Sequence, residues 1–249
     1  MQFSQINQAV ILAGGRGERL RPLTDRIPKP MAPVNGIPFL DYLLQSLVQI
    51  GIKRVLLLVG YLGEVIVDRY SKLSCLSLQI EFSVGAVDDR TGHRLLNAYN
   101  LLENHFLLLY GDNYWPIEFD RMVNLYRHKR VFVSTTVFSN LRGTGEYGKE
   151  NNIEVSADGF VKRYDKNRKS DRLNGVDIGY FIVDKEILNE NVEGNLSFEE
   201  NVLPELIARK QLMAFVTDTQ YYYVTDLDSL KNFERAVMGN KIKPISVRT

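Results

Sequence analysis

Val10-Ile11-Leu12-Ala13-Gly14-Gly15-Arg16-Gly17-Glu18-Arg19-Leu20 is the stretch on which the reading of this chain turns. A short apolar run ending in glycines reads as a buried strand followed by a tight turn. Closely spaced glycines let backbone N–H groups crowd around an anion, because no Cβ blocks the approach. Arg16, Arg19 and Arg21 bring positive charge to the same loop. A tight turn alone also explains such a cluster, so the neighbouring segments must decide. The spacing is neither a Walker A loop nor a Gly-x-Gly-x-x-Gly dinucleotide fingerprint.

Strand and helix patterns alternate outward from that first strand. Val55–Val59, Leu78–Val84, Phe106–Tyr110 and Val131–Phe138 are apolar runs of strand length. Between them, Phe39–Ile50, Glu64–Tyr70, Arg94–Leu102 and Phe119–Arg130 carry apolar residues at helical spacing. This alternation predicts an α/β fold, a Rossmann-like open and mostly parallel sheet with helices on both faces. After Gly143 the pattern becomes more antiparallel, with strands near Ile153–Val155, Phe160–Tyr164 and Val176–Val183. Helices near Ser197–Lys210 and Leu227–Met238 follow, with short strands near Met213–Val216 and Tyr221–Val224. No repeat or clean linker interrupts the chain. One domain over residues 1–249 is expected, with a regular first half (1–140) and a less regular second half (141–249) that ends in the C-terminal helix.

Composition bounds the function. Thirty-one basic and thirty acidic residues in 249 give a net charge of +1, which offers no global field for nucleic acid. One cysteine, Cys75, cannot form an internal disulfide, as suits a reducing cytoplasm. The apolar runs are too short to span a bilayer, and the N-terminus lacks a basic start. A cytoplasmic enzyme is expected. Three scattered histidines and one cysteine make no zinc signature.

Two further segments carry chemistry. In Ile27-Pro28-Lys29-Pro30-Met31, prolines flank a lysine and restrict the backbone on either side. The ammonium group can then be aimed, here beside the glycine loop. In Leu107-Leu108-Leu109-Tyr110-Gly111-Asp112-Asn113, an aspartate stands just past the carboxyl end of a buried strand. Ligands of open α/β sheets bind at such ends. Asp112 reads either as a turn aspartate or as a carboxylate for Mg²⁺ held jointly with phosphate oxygens.

The run from Leu12 to Pro30 resembles the signature of the sugar-1-phosphate nucleotidyltransferases: Leu-Ala-Gly-Gly-x-Gly-Thr-Arg-Leu-x-Pro-Leu-Thr, then Pro-Lys-Pro. Glu18 replaces the threonine. The resemblance implies a nucleotide-diphospho-sugar transferase fold, with 1–140 as the nucleotide-binding half and 141–249 as the sugar-binding half. It implies a nucleotide bound by Leu12, Ala13, Gly14, Gly15, Arg16, Gly17 and Arg19. Thr91 and Gly92 would assist from a segment that matches the family's Gly-Thr-Gly-Gly-Ala-Leu only in part. Arg19, Lys29 and Asp112 would be catalytic, with Mg²⁺ on Asp112. The family's late second metal aspartate falls on Tyr223 when aligned without a gap. Asp226 lies three residues on and either substitutes for it or caps the following helix.

On the sugar side, Tyr147-Gly148 resembles the family's Tyr-Gly step. Asp165-Lys166 stands where most members have Glu-Lys, implying that Lys166 binds the sugar phosphate and Asp165 a hydroxyl. Asp177-Ile178-Gly179-Tyr180 resembles Asn-x-Gly-x-Tyr. Aspartate still accepts hydrogen bonds from a hydroxyl but cannot donate as asparagine does, which implies an altered sugar contact. The look is nearest to guanylyltransferases acting on D-glycero-D-manno-heptose 1-phosphate, notably in Pro28–Leu40 and Gly111–Pro116. That implies GTP and a heptose 1-phosphate as partners, in nucleotide-sugar biosynthesis for surface polysaccharide. Homo-oligomers are common in the family. Mannose or glucose 1-phosphate remain open, as does a non-catalytic sensing subunit of the same fold.

Overall fold

The computed structural model describes residues 5–72, 77–139, 150–188, 194–239 and 242. Cys75, Tyr147 and Gly148 therefore lie outside the described residues.

Along the chain, β1 (Gln8–Ala13) leads through three short turns of 3₁₀ helix, Glu18–Leu20, Leu23–Asp25 and Lys29–Met31. A small hairpin of β2 (Pro33–Val34) and β3 (Ile37–Pro38) then enters α1 (Phe39–Gln49). β4 (Arg54–Val59), α2 (Gly63–Tyr70), β5 (Gln79–Val84), α3 (Thr91–Asn97) and β6 (His105–Tyr110) follow. Next come β7 (Asn113–Tyr114), α4 (Phe119–Lys129), β8 (Val133–Phe138), β9 (Ile153–Val155), β10 (Val161–Tyr164) and β11 (Val176–Asp184). A π-helical turn (Phe198–Val202) continues into α5 (Leu203–Ala208), β12 (Leu212–Thr217), β13 (Tyr222–Tyr223) and α6 (Leu227–Met238).

The chain divides into two compact units, each drawn from three separate stretches of sequence. One comprises Met1–Ile6, Arg90–Leu108 and Glu118–Tyr221; the other comprises Asn7–Asp89, Leu109–Ile117 and Tyr222–Thr249. Strand β6 contributes its first four residues to one unit and its last two to the other.

In the unit that holds the glycine loop, the strand order is β6-β1-β4-β5. β1, β4 and β5 pair in parallel, with Leu12 opposite Leu58. Strands β1 and β4 are almost wholly buried, as continuous apolar runs in a parallel sheet demand. Helix α1 buries Phe39, Leu40, Leu43, Leu44 and Leu47. Phe233 of α6 packs edge-on against Phe39, Tyr42 and Tyr222 and tilts against Tyr114. This aromatic knot ties the C-terminal helix to the same unit. A buried polar link joins α1 to α2: the Tyr70 hydroxyl and the Arg69 guanidinium both donate to Asp41.

In the other unit the order is β12-β8-β11-β6. β12 runs parallel to β8 and β11 antiparallel to it, so the sheet is mixed. The β8–β11 pairing is interrupted between Asp177 and Phe181. Gly179, with φ of +75°, lies inside that interruption, where glycine takes the left-handed backbone at little cost. The small antiparallel pair of β9 and β10 bears out the change of character expected after Gly143.

The fold class agrees with the sequence reading, and the differences are local. The predicted helix Arg94–Leu102 begins three residues earlier, at Thr91, and ends as 3₁₀ turn. The predicted helix Ser197–Lys210 opens with the π-helical turn before α5. Among the described residues, no helix is long and apolar enough to cross a membrane.

Candidate active site

The glycine loop follows the expected course. Gly17 has φ of +63° and precedes the turn Glu18–Leu20. A Cβ on Gly17 would lie 2.9 Å from Lys29 Cβ, so only glycine admits the lysine stem here. The Thr24 hydroxyl donates to the Gly17 carbonyl, and the Tyr61 N–H donates to the Gly14 carbonyl. The N–H groups of Gly15, Arg16 and Gly17 make no hydrogen bond among the described residues. Three consecutive unpaired amides leave donors available to an anion. Leu12 and Ala13 close β1 beneath them. Arg16 is held by Asp88 at 3.1 Å and lies over the Tyr61 ring. Arg19 is exposed, and its charge acts on Asp226.

Lys29 and Asp112 come together in the same unit. Lys29 Nζ donates to an Asp112 carboxylate oxygen at 2.5 Å, with side-chain exposures of 14% and 27%. Pro28 is extended, Pro30 is buried, and the Ala32 N–H closes the turn on the Lys29 carbonyl at 3.0 Å. The proline-flanked lysine is thus fixed as its sequence predicts. Asp112 is anchored through its backbone. The Gly111 N–H donates to the Leu12 carbonyl at 3.0 Å, and the Asp112 carbonyl accepts from the Val224 N–H at 2.8 Å. A Cβ on Gly111 would meet the Leu12 oxygen at 2.7 Å.

The two readings of Asp226 resolve toward the cap. Its side chain accepts from the Ser229 N–H at 2.8 Å, and the Ser229 hydroxyl accepts from the Asp226 N–H, a capping box for α6. That Ser229 N–H holds the Asp226 carboxyl below its ordinary value. Tyr223 pairs across β13–β7 with Asn113, the neighbour of Asp112. The position where an ungapped alignment expects a second carboxylate therefore lies beside the Asp112 segment and carries a phenol. Among the described residues, no group of three His, Cys, Asp or Glu side chains is arranged to hold a metal ion.

A second cluster lies in the other unit. Lys166 Nζ donates to Glu200 at 2.9 Å, and Arg90 donates to the other oxygen of the same carboxylate. These two cations hold the Glu200 carboxyl below its ordinary value, Lys166 most strongly. Asp165, expected to face a sugar hydroxyl, instead organises its own loop. Its carboxylate accepts from the N–H groups of Asn167, Lys169 and Ser170 at 3.0, 2.9 and 3.1 Å. Desolvation would raise its pKa, but these donors together bring it down.

Asp177 is only 9% exposed. One of its oxygens accepts from the Thr135 hydroxyl at 2.8 Å and from the Gly179 N–H at 3.1 Å. Burial pushes its carboxyl up to about 7, against the pull of those two donors, and Glu199 raises it further. The expectation that this aspartate can only accept therefore needs correction. Near neutral pH the acid form is populated, and it can donate.

Thr91 and Gly92, expected to help hold the nucleotide, receive the segment at residues 194–200. The Thr91 hydroxyl donates to Glu199 at 2.7 Å and accepts from the Phe198 N–H at 2.8 Å. A Cβ on Gly92 would press on the Leu196 carbonyl at 3.1 Å. Glu199, Glu200 and Arg90 were not singled out from sequence. Ser197-Phe198-Glu199-Glu200 carries the Ser-x-x-Glu spacing of a helix start. Ser197 does cap there, accepting from the Glu200 N–H at 3.2 Å.

Comparison with known proteins bears on this arrangement. A family model described as "Nucleotidyl transferase" matches residues 8–238. The chain belongs to the nucleotidyl transferase family. This is the sugar-1-phosphate nucleotidyltransferase class whose signature the glycine loop and Lys29 resemble. One relative in the family is the D-glycero-alpha-D-manno-heptose 1-phosphate guanylyltransferase of Campylobacter jejuni. It is 30% identical over 196 residues, 78% of this chain and 83% of its own. The mannose-1-phosphate guanylyltransferase of Mycobacterium tuberculosis is 29% identical over 204 residues, 80% of this chain and 55% of its own. In structure, HddC from Yersinia pseudotuberculosis superposes with a TM-score of 0.78 at 23% identity, covering 92% of this chain and 99% of that one. That likeness shows the nucleotidyl transferase fold.

Proposed function

We propose that this enzyme transfers guanylyl from GTP to D-glycero-D-manno-heptose 1-phosphate, releasing pyrophosphate. The observation that carries the reaction type is the Lys29–Asp112 pair in the same unit as three unpaired loop amides. That combination suits a polyphosphate: donors for its oxygens, an aimed cation, and a carboxylate. The choice of GTP and heptose is supported by the C. jejuni relative, whose name gives both.

The reaction is an in-line displacement at the α-phosphorus of the nucleotide. A sugar phosphate oxygen forms the new P–O bond as the bond to pyrophosphate breaks. A phosphate monoester is already largely dianionic near neutral pH, so no general base is needed. Catalysis is positioning and charge stabilisation. Lys29 meets the charge developing at the α-phosphate. The amides of Gly15, Arg16 and Gly17, with Arg19, hold the departing pyrophosphate. Lys166 exchanges Glu200 for the sugar phosphate.

The donor set at Asp112 fits Mg²⁺. One carboxylate is present, Tyr223 stands where a second would be, and Mg²⁺ is satisfied by one or two carboxylates with phosphate oxygens and water. When bound there, Mg²⁺ supplies electrostatic stabilisation of the phosphate oxygens.

A second sugar, mannose 1-phosphate, is favoured by the M. tuberculosis relative. A pyrophosphate-release screen decides. Common nucleoside triphosphates with Mg²⁺ are crossed against heptose, mannose and glucose 1-phosphates. Release with GTP and the heptose phosphate is expected. Release with another pair overturns the substrate assignment. Nucleotide binding without release for any pair overturns the catalytic reading.

A further inference from the structure

Strand β5 is the outermost strand of its unit. Its ladder to β4 runs without a shift from Gln79 to Val84. The Gln79 N–H donates to the Lys53 carbonyl at 2.8 Å, and the Gly85 N–H donates to the Val59 carbonyl at 3.0 Å. Backbone groups alternate in direction along a strand. The odd-numbered residues therefore turn theirs toward β4, and Ile80, Phe82 and Val84 turn theirs outward. Those outward N–H and carbonyl groups have no partner among the described residues. Val84 is 73% exposed, more than any other large apolar residue described, and Ile80 and Phe82 are half-buried.

An open strand edge templates pairing with another strand, and proteins blunt it with lysine, proline, a bulge or a covering segment. β12, the outermost strand of the other unit, is partly covered in this way. The Ala214 N–H donates to the Gly159 carbonyl at 2.9 Å, and Met213 bridges to Phe160. β5 uses none of these devices. Gln79-Ile80-Glu81-Phe82-Ser83-Val84 holds no lysine and no proline, and its register with β4 has no bulge. Its single charge, Glu81, is taken up by Arg54 at 2.8 Å.

We infer that β5 is a docking edge for a second copy of this chain, the two β5 strands pairing antiparallel about a two-fold axis at Phe82. A two-fold contact is self-complementary, so every residue must suit its mate. With the axis at Phe82, Phe82 of one copy meets Phe82 of the other, and Ile80 meets Val84. Each of these pairs brings outward backbone groups face to face, so both hydrogen bonds of the pair form. Aromatic and β-branched cross-strand pairs stabilise a sheet. On the other face Glu81 meets Ser83, whose hydroxyl can donate to the carboxylate. The neighbouring registers are worse. An axis at Glu81 sets that carboxylate against itself, and like charges directly opposite are destabilising. An axis at Ser83 sets Ile80 against Ala86, whose N–H and carbonyl are already engaged by Asp89 at 2.8 and 3.2 Å. Charge and backbone therefore select the register at Phe82, and a second copy supplies the matching pattern by symmetry.

The test is sedimentation velocity of the full chain over a micromolar dilution series, in which a dimer is expected. Val84→Lys places a charge at an exposed position that the two-fold axis uses twice. It should raise the dissociation constant at least tenfold while the circular dichroism spectrum is unchanged. Val216→Lys, at an exposed position of β12, should leave the dimer intact. Cross-linking reads the register by a separate route, and decides the matter if Val84→Lys does not fold. Cys75, the chain's single cysteine, is first changed to serine. Phe82→Cys in that background should give a disulfide-linked dimer on mild oxidation, because facing residues of a hydrogen-bonded pair stand about 5.5 Å apart, within disulfide reach. Ser83→Cys should not, because its mate is Glu81. A monomer at every concentration overturns the inference, and slow exchange of the Ile80, Phe82 and Val84 amides in that monomer would give the edge to another segment of this chain. A dimer that Val84→Lys leaves intact also overturns it, as does cross-linking through Ser83→Cys in preference to Phe82→Cys.

Discussion

Lys29 Nζ lies 2.5 Å from an Asp112 carboxylate oxygen, although 83 positions separate the two residues. Each side chain thereby holds the other in place. The pair also sets a competition. A cation approaching Asp112 must displace the lysine, and a polyphosphate that draws Lys29 away releases the carboxylate. Lys29→Met is therefore expected to have two opposite effects. Turnover in the pyrophosphate-release assay should fall about 10²–10³-fold, the loss expected when one positioned charge-stabilising group is removed. Nucleotide-free protein should meanwhile bind Mn²⁺ more tightly, as read from the electron paramagnetic resonance signal of the free ion. A variant that keeps its circular dichroism spectrum, near-normal turnover and unchanged Mn²⁺ affinity would contradict the assignment.

Gly111 tests how Asp112 is aimed. A methyl group at this position meets the Leu12 carbonyl at 2.7 Å, and that carbonyl already accepts the Gly111 N–H. Relief requires a shift of the backbone that carries Asp112. Gly111→Ala should lower stability by about 1–3 kcal/mol, the range for overpacking a tight interior. Urea denaturation measures this, and turnover should fall more than a loss of folded protein accounts for.

Asp226→Ser separates the cap from a metal role. Serine still accepts from the helix N–H groups but brings no carboxylate. It should keep both the melting temperature and turnover near wild type. Asp226→Ala removes the cap and should cost ~1 kcal/mol. Strong loss of activity in the serine variant would assign Asp226 to the metal after all.

These variants also mark where the sequence was legible. Buried parallel strands need continuous apolar runs, so β1, β4 and β6 could be read almost residue by residue. The glycine loop and Pro28-Lys29-Pro30 could be read because backbone geometry permits few residue types there. Lys29 and Asp112 are far apart in sequence, yet each sits beside a backbone device that aims it. Side chains whose role depends on what packs against them were harder to read. Asp165 and Asp177 are both aspartates near the expected sugar side, yet one serves its own loop and the other is a buried acid. No local pattern separates them. Glu199 was hidden for the same reason, because its meaning lies in Thr91, more than a hundred positions away.

The buried acid makes a last prediction, about stability. Asp177 has a folded-state pKa of about 7 against an ordinary value of 3.8. Between these two values the folded state holds a proton that the unfolded state has released. The contribution of this proton to stability is therefore fully present below pH 3.8, declines as pH rises toward 7, and is gone above it. The decline can reach on the order of 4 kcal/mol, from about 1.36 kcal/mol per pH interval. Asparagine keeps the acceptor for Thr135 and Gly179 but never ionises. Asp177→Asn should accordingly match the wild type near pH 4 and exceed it in stability at pH 8. Urea denaturation at both pH values reads the gap directly. If the wild type is as stable as the variant at pH 8, Asp177 is not the buried acid described, and the donor attributed to it would be absent.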